Sequence, residues 1–125
     1  MAGNASDYLE GQIWKWAFTD ASITRPTSWY VGLYTALPSD VGGGTEYSGN
    51  GYARQAVTFD PSTKLNTNDV TFTASGGSFS AGVAYGIFDA STSGNLLVWK
   101  AKTIGTVDVG DSVAFSTGAL SGAVD

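Results

Sequence analysis

The acidic side chains are the natural candidates for chemistry in this sequence, and most stand in turn-like stretches: Asp40, Glu46, Asp60, Asp89, Asp108 and Asp111. A glycoside-cleaving pair needs two carboxylates facing one cleft, about 5–9.5 Å apart. Nothing in the spacing brings two of these together, and Asp is favoured in turns because its side chain bonds nearby backbone. Asp108-Val109-Gly110-Asp111 has a superficial likeness to a calcium loop. It lacks the regular acidic spacing and the distal bidentate Glu, so a β-turn is expected. Gly42-Gly43-Gly44 is no phosphate loop, because no Gly-Lys-Ser/Thr follows it and no helix starts there. With no Cys and no His, disulfides, thiolate nucleophiles, imidazole bases and the usual zinc sites are excluded. The reading is non-enzymatic, with no catalytic residue, cofactor or metal.

What remains is recognition. Between the apolar runs Trp29–Tyr34 and Tyr52–Phe59 lies a loop rich in turn residues: Pro38, Asp40, the Gly42–Gly44 triplet and Ser48-Gly49-Asn50-Gly51. Loops this long inside compact domains usually carry function or stay mobile. Tyr47 and Tyr52 near its end are expected at the surface, since Tyr beside Gly and Ser is an interface composition. Tyr47 and Trp29 are also candidates for a sugar-stacking platform. Arg54 is expected to pair with an acidic group at its strand end, on the same subunit or the next, and a buried bidentate pair would fix the loop base. Trp14, Val41, Gly43, Glu46, Tyr47, Tyr52 and Arg54 are the candidate interface residues.

These residues need a scaffold, and the patterning predicts a mainly β one. Ser6-Asp7 can cap a short helix in which Leu9, Ile13, Trp16 and Ala17 form one apolar stripe. Its aromatics are expected in the core, with one Trp partly exposed, or against a neighbouring subunit. Trp29–Tyr34 reads as a strand with Trp29, Val31 and Leu33 on one face. Tyr52–Phe59 reads as a second, with Ala53, Gln55, Val57 and Phe59 on one face and Arg54 on the other. Val70, Phe72 and Ala74 alternate with threonines in a half-buried strand. Val83–Phe88 and Leu96–Lys102 form a hairpin around Asp89–Asn95. Thr106–Val109 and Ser112–Phe115 complete the set, and the tail from Gly118 is an edge strand or an arm. About 6–8 short strands after one N-terminal helix (1–20) predict a single domain over 1–125. Its expected form is an antiparallel β-sandwich, jelly-roll or immunoglobulin-like, with a long loop at 35–51.

Composition narrows the partners. Of the 125 residues only 14% are charged, the net charge is −5, and the six basic residues are scattered. Nucleic acid needs a concentrated basic footprint and is excluded as a partner, as is an anionic membrane surface. The opening MAGNASDYLEG has neither a basic n-region nor an apolar h-region, so synthesis and first folding are expected in the cytoplasm.

The central stretch resembles a family of small virion structural proteins of tailed bacteriophages. The likeness is carried by Val31-Gly32-Leu33-Tyr34-Thr35, Pro38, Asp40, Gly43-Gly44-Thr45-Glu46, Ser48-Gly49, Gly51-Tyr52-Ala53-Arg54-Gln55 and Val57-Thr58-Phe59. It continues more loosely through Asn68–Phe72, Tyr85–Asp89 and Val109–Asp111. Members are labelled as head decoration or tail-fibre-like proteins. The resemblance implies a virion part, preferentially a capsid decoration (cement) protein. Such a protein would self-associate as a homotrimer and clamp the major capsid protein or other virion proteins through the N-terminal segment and Val41–Arg54. The alternatives are a tail-associated, fibre-like protein, a host-glycan-binding module, or a free binding module of a bacterial host.

Overall fold

A computed structural model describes residues 4–123. The elements are α1 (Asp7–Phe18), β1 (Trp29–Ala36), β2 (Thr45–Glu46), β3 (Gln55–Val57), β4 (Val70–Thr73), β5 (Gly82–Phe88), β6 (Leu96–Ile104) and β7 (Ser112–Phe115). All strand pairs are antiparallel. The larger sheet runs β2-β1-β5-β6, with β3 pairing β1 beside β2, and the smaller is β4-β7. The arrangement is the mainly β, sandwich-like one that the alternation predicts.

The core lies between the two sheets. Val31 and Leu33 of β1 stand in register with Ile87 and Tyr85 of β5, and Ile87 is paired in turn with Val98 of β6. Phe72 and Phe115 from the smaller sheet close the other side, edge to face at 6.3 Å. All these side chains are buried, as period-2 alternation requires. A second, smaller apolar cluster lies apart from it: Tyr34, Ala84, Phe88 and Leu96, with Trp99 packed on it. The central strand β5 is therefore buried along nearly its whole length.

Two polar clamps finish the sandwich. Asn66 is buried, its Oδ1 accepting from Leu120 N–H (2.9 Å) and its Nδ2 donating to the carbonyls of Asn68 and Ser116. The expected arm at the C-terminal end is thereby drawn inward, with Leu120 in the core. At the other end, Ala5 bridges Val98 and Ser6 N–H donates to the Leu97 carbonyl, so residues 4–6 run along the free edge of β6.

Three expectations need correction. The second predicted strand, Tyr52–Phe59, shrinks to Gln55–Val57, because Tyr52 and Arg54 turn their side chains into a polar cluster and Phe59 makes only an isolated bridge to Asn66. Thr106–Val109 contributes a single bridge, Val107 to Phe79, before Asp108–Asp111 closes as the expected turn. The helix stripe does not enter the core. Ser6 caps α1, accepting from Leu9 N–H, but no residue of the helix is buried and only Leu9 packs against the core. Among the described residues, the backbone hydrogen bonds that tie α1 to the rest of the fold lie at its start, from Ser6 N–H to the Leu97 carbonyl and from Asp7 N–H to the Asp40 carbonyl.

Candidate functional site

The 35–51 segment is a built loop. β2 lies inside it and pairs with β1, Glu46 opposite Tyr34. Ser39 and Gly42 exchange backbone hydrogen bonds, and the Asp40 carbonyl accepts from Asp7 N–H at 2.7 Å, tying the loop to the start of α1. Gly44 turns at φ +72°, where an added Cβ would stand 2.7 Å from the Ala36 carbonyl oxygen. At the far end Asn50 is held to the turn at 75–78 through Ser75 N–H and the Ser78 carbonyl.

The loop base is an Arg54–Glu46 anchor. Arg54 Nε and Nη2 donate to the two carboxylate oxygens of Glu46, each at 2.9 Å. Arg54 Nη1 donates to the carbonyls of Ala90 (3.0 Å) and Ser93 (2.7 Å), reaching the β5–β6 connection. The guanidinium lies over the Phe88 ring, 3.6 Å from its centroid. Tyr52 Oη donates to Glu46 (2.6 Å) and accepts from Leu33 N–H (3.0 Å). One cation thus fastens β2, the end of the loop and the β5–β6 hairpin together, with the fork geometry and ring contact that lysine cannot reproduce. Four of the five guanidinium N–H groups are used in this way, so little of Arg54 is left to receive an anionic ligand.

The electrostatics follow from this packing. Burial pushes the Tyr34 hydroxyl up to about 12, and the Glu46 charge adds to the rise. Burial raises Tyr52 as well, followed by its hydrogen bond to Glu46. For Arg54, burial alone acts downward, but the hydrogen bond and charge of Glu46 overcome it and the net shift is upward.

The candidate residues divide into two groups. Glu46, Tyr47, Tyr52 and Arg54 turn inward, which corrects the expectation of surface tyrosines. Tyr47 is only 6% exposed, its hydroxyl donates to the Ser80 carbonyl at 2.7 Å, and its ring meets Tyr52 and Phe79. Tyr52 stacks on Phe72 at 5.9 Å. Tyr47 is core and Tyr52 packs partly buried against it, each hydroxyl finding a partner inside. Trp29 is half-buried, in register with Val57. Val41, Gly43 and Trp14 turn outward: Val41 is 81% and Trp14 59% exposed, and the space around Gly43 is open.

Sequence reasoning missed Gly32, Tyr34 and Phe88. An added Cβ on Gly32 would stand 2.7 Å from the Phe88 ring, 2.8 Å from Glu46 Oε2 and 3.1 Å from Tyr52 Oη. A lone glycine inside a strand marks such close approach, and that was the available signal. Around the anchor opens a cleft of about 570 Å³ lined by Asp7, Asp40, Gly43, Arg54 and Asn95 among others. The turn carboxylates do turn chemistry, with Asp60 accepting from Ser62 and Thr63 N–H and Asp89 from Asn95 N–H. The hydrogen bond from Thr63, then that from Ser62, lowers the Asp60 pKa. Among the described residues no cluster of acidic side chains could hold a metal. No helix of the described residues is long and apolar enough to cross a membrane.

The fold is a small antiparallel sandwich that braces a long loop from within and leaves the aromatic side chains of α1 exposed. Residues 4–123 match the family described as "Podophage GP4 fiber I protein gp80". The chain belongs to this family, and is therefore a phage virion structural protein. No curated protein matches it.

Proposed function

We propose that the protein is a building block of a podophage fibre that docks onto virion proteins, further copies of itself among them, through α1 and the outward tip of its braced loop. The observation that carries this reading is apolar surface that the fold itself leaves uncovered: Trp14, Trp16 and Phe18 on α1 and Val41 on the loop, all more than half exposed. Clustered exposed aromatics mark interaction surfaces. The family's description as a fibre protein supports this reading, with the capsid decoration that the sequence suggested first as the alternative. Of the two rings named as a glycan platform, Tyr47 is buried and Trp29 half-buried, which weighs against glycan binding.

Immunogold electron microscopy of purified phage with antibody against this protein tests the proposal. Gold along the fibres or tail is expected. Gold spread over the head would return the assignment to a cement protein, and unlabelled virions would discard both.

A further inference from the structure

We infer that two copies of this chain pair antiparallel through the outer face of α1, crossing at Gly11. The pairing is a property of the chain itself and stands whichever virion part it serves.

A glycine inside an exposed helix costs about 1 kcal/mol relative to alanine, and no contact among the described residues explains this one. Among the described residues a Cβ added to Gly11 would meet nothing within 4 Å, so no side chain or backbone seen beside the helix demands its smallness. A second helix crossing there would, since small residues let two helix axes approach closely.

The residues around Gly11 are self-complementary about that point. In a two-fold pair centred on Gly11, each residue n positions before it faces the partner's residue n positions after it. Asp7 and Lys15 lie four positions either side, and Tyr8 and Trp14 three either side. These spacings place all four on the Gly11 face of the helix. The two-fold therefore sets each Asp7 against the partner copy's lysine and each tyrosine against a tryptophan. All four side chains are exposed. Phe18, stacked on Trp14 with centroids 4.8 Å apart, extends the apolar face beyond the crossing. A parallel pair would instead oppose Asp7 to Asp7 and Lys15 to Lys15, so charge selects the antiparallel arrangement.

The twelve-residue helix is about 18 Å long, and it covers less than the roughly 800 Å² per partner of a standard interface. Association is therefore expected to be concentration-dependent in solution, and favoured where virion assembly crowds copies together.

Sedimentation velocity of the full chain, from micromolar to near-millimolar concentration, tests this. A monomer–dimer equilibrium is expected. Gly11→Leu should weaken it by tenfold or more while raising the melting temperature, because leucine is the better helix former. Asp7→Lys alone and Lys15→Asp alone should each stay monomeric, and an equimolar mixture of the two should form heterodimers, with circular dichroism confirming that each variant folds. A wild-type chain monomeric throughout the range, a trimer, dimerisation untouched by Gly11→Leu, or a mixture that fails to pair would each overturn the inference.

Discussion

Arg54 holds Glu46 with two parallel hydrogen bonds of 2.9 Å while its guanidinium rests on the face of Phe88. The pair is largely shielded, the two side chains being 10% and 25% exposed. Removing one partner leaves the other charge with its hydrogen-bonding groups stranded. That costs about 3–5 kcal/mol for a fully buried pair, and the partial exposure of Glu46 reduces it here to about 2–3 kcal/mol. Arg54→Ala and Glu46→Gln should each lower the urea midpoint accordingly. The double variant should cost less than the sum of the singles, giving a coupling energy of about 1–3 kcal/mol. Additive losses would mean that the two residues act independently.

Gly32 makes room for that anchor. Gly32→Ala would force its methyl against Phe88, Glu46 and Tyr52 at once, and overpacking of this kind costs about 1–3 kcal/mol. The expected outcome is a loss in that range by thermal unfolding. The loss should be smaller in a Glu46→Ala background, where one of the three obstructing groups is gone.

The two apolar faces were legible in the sequence because alternation alone specifies them. Val31 and Leu33 in one strand, and Val70, Phe72 and Ala74 in another, are buried as their spacing requires. The site was legible only in part. The sequence pointed to Arg54 as one half of an ion pair, but its partner depends on the pairing of β2 with β1, which two residues in a glycine-rich segment do not announce. Tyr47 and Tyr52 misled because polar neighbours signal surface. The burial of Tyr47 and the partial burial of Tyr52 rest on hydroxyl partners distant in sequence, Ser80 for one and Leu33 for the other. The stripe on α1 misled for the opposite reason, since an apolar face says that a helix wants a cover and not which molecule supplies it.

The buried phenols make stability fall in alkali. The folded Tyr34 keeps its proton up to about pH 12, against an ordinary value of 10.0, chiefly because burial disfavours the phenolate. Below pH 10 both states hold the proton and the stability is intact. Between 10 and 12 the unfolded chain loses its proton first, so the folded state binds more protons and stability declines as pH rises. Each such group contributes a slope of up to about 1.4 kcal/mol per pH unit. Urea midpoints measured across this range should fall steeply for the wild type, and Tyr34→Phe should flatten the decline by about one group's share. An unchanged slope would mean that Tyr34 titrates as in the unfolded chain.

Asn66 should be the most sensitive polar residue away from the loop. Its side chain satisfies Leu120 N–H and the carbonyls of Asn68 and Ser116 from within the protein. Asn66→Ala strands those groups, and each buried group left without a partner costs about 1–3 kcal/mol. A loss of about 3 kcal/mol is expected in urea, with faster amide exchange at Leu120 reporting release of the C-terminal segment. Exchange at Leu120 as slow as in the wild type would show that the segment is held without Asn66.

The outer aromatics of α1 should separate folding from assembly. Trp14 and Phe18 are 59% and 71% exposed and stack on each other with centroids 4.8 Å apart. Replacing both by Ser should therefore change the unfolding free energy little, within about 1 kcal/mol for the pair. Incorporation is where the loss should fall: phage grown with the Trp14→Ser/Phe18→Ser chain should carry far less of it, measured by quantitative immunoblot of purified virions against soluble protein in the lysate. Normal incorporation would move the docking surface off α1, leaving Val41 and the loop tip to carry it. A large drop in stability would instead mean that the helix packs on its own subunit more tightly than its exposure indicates.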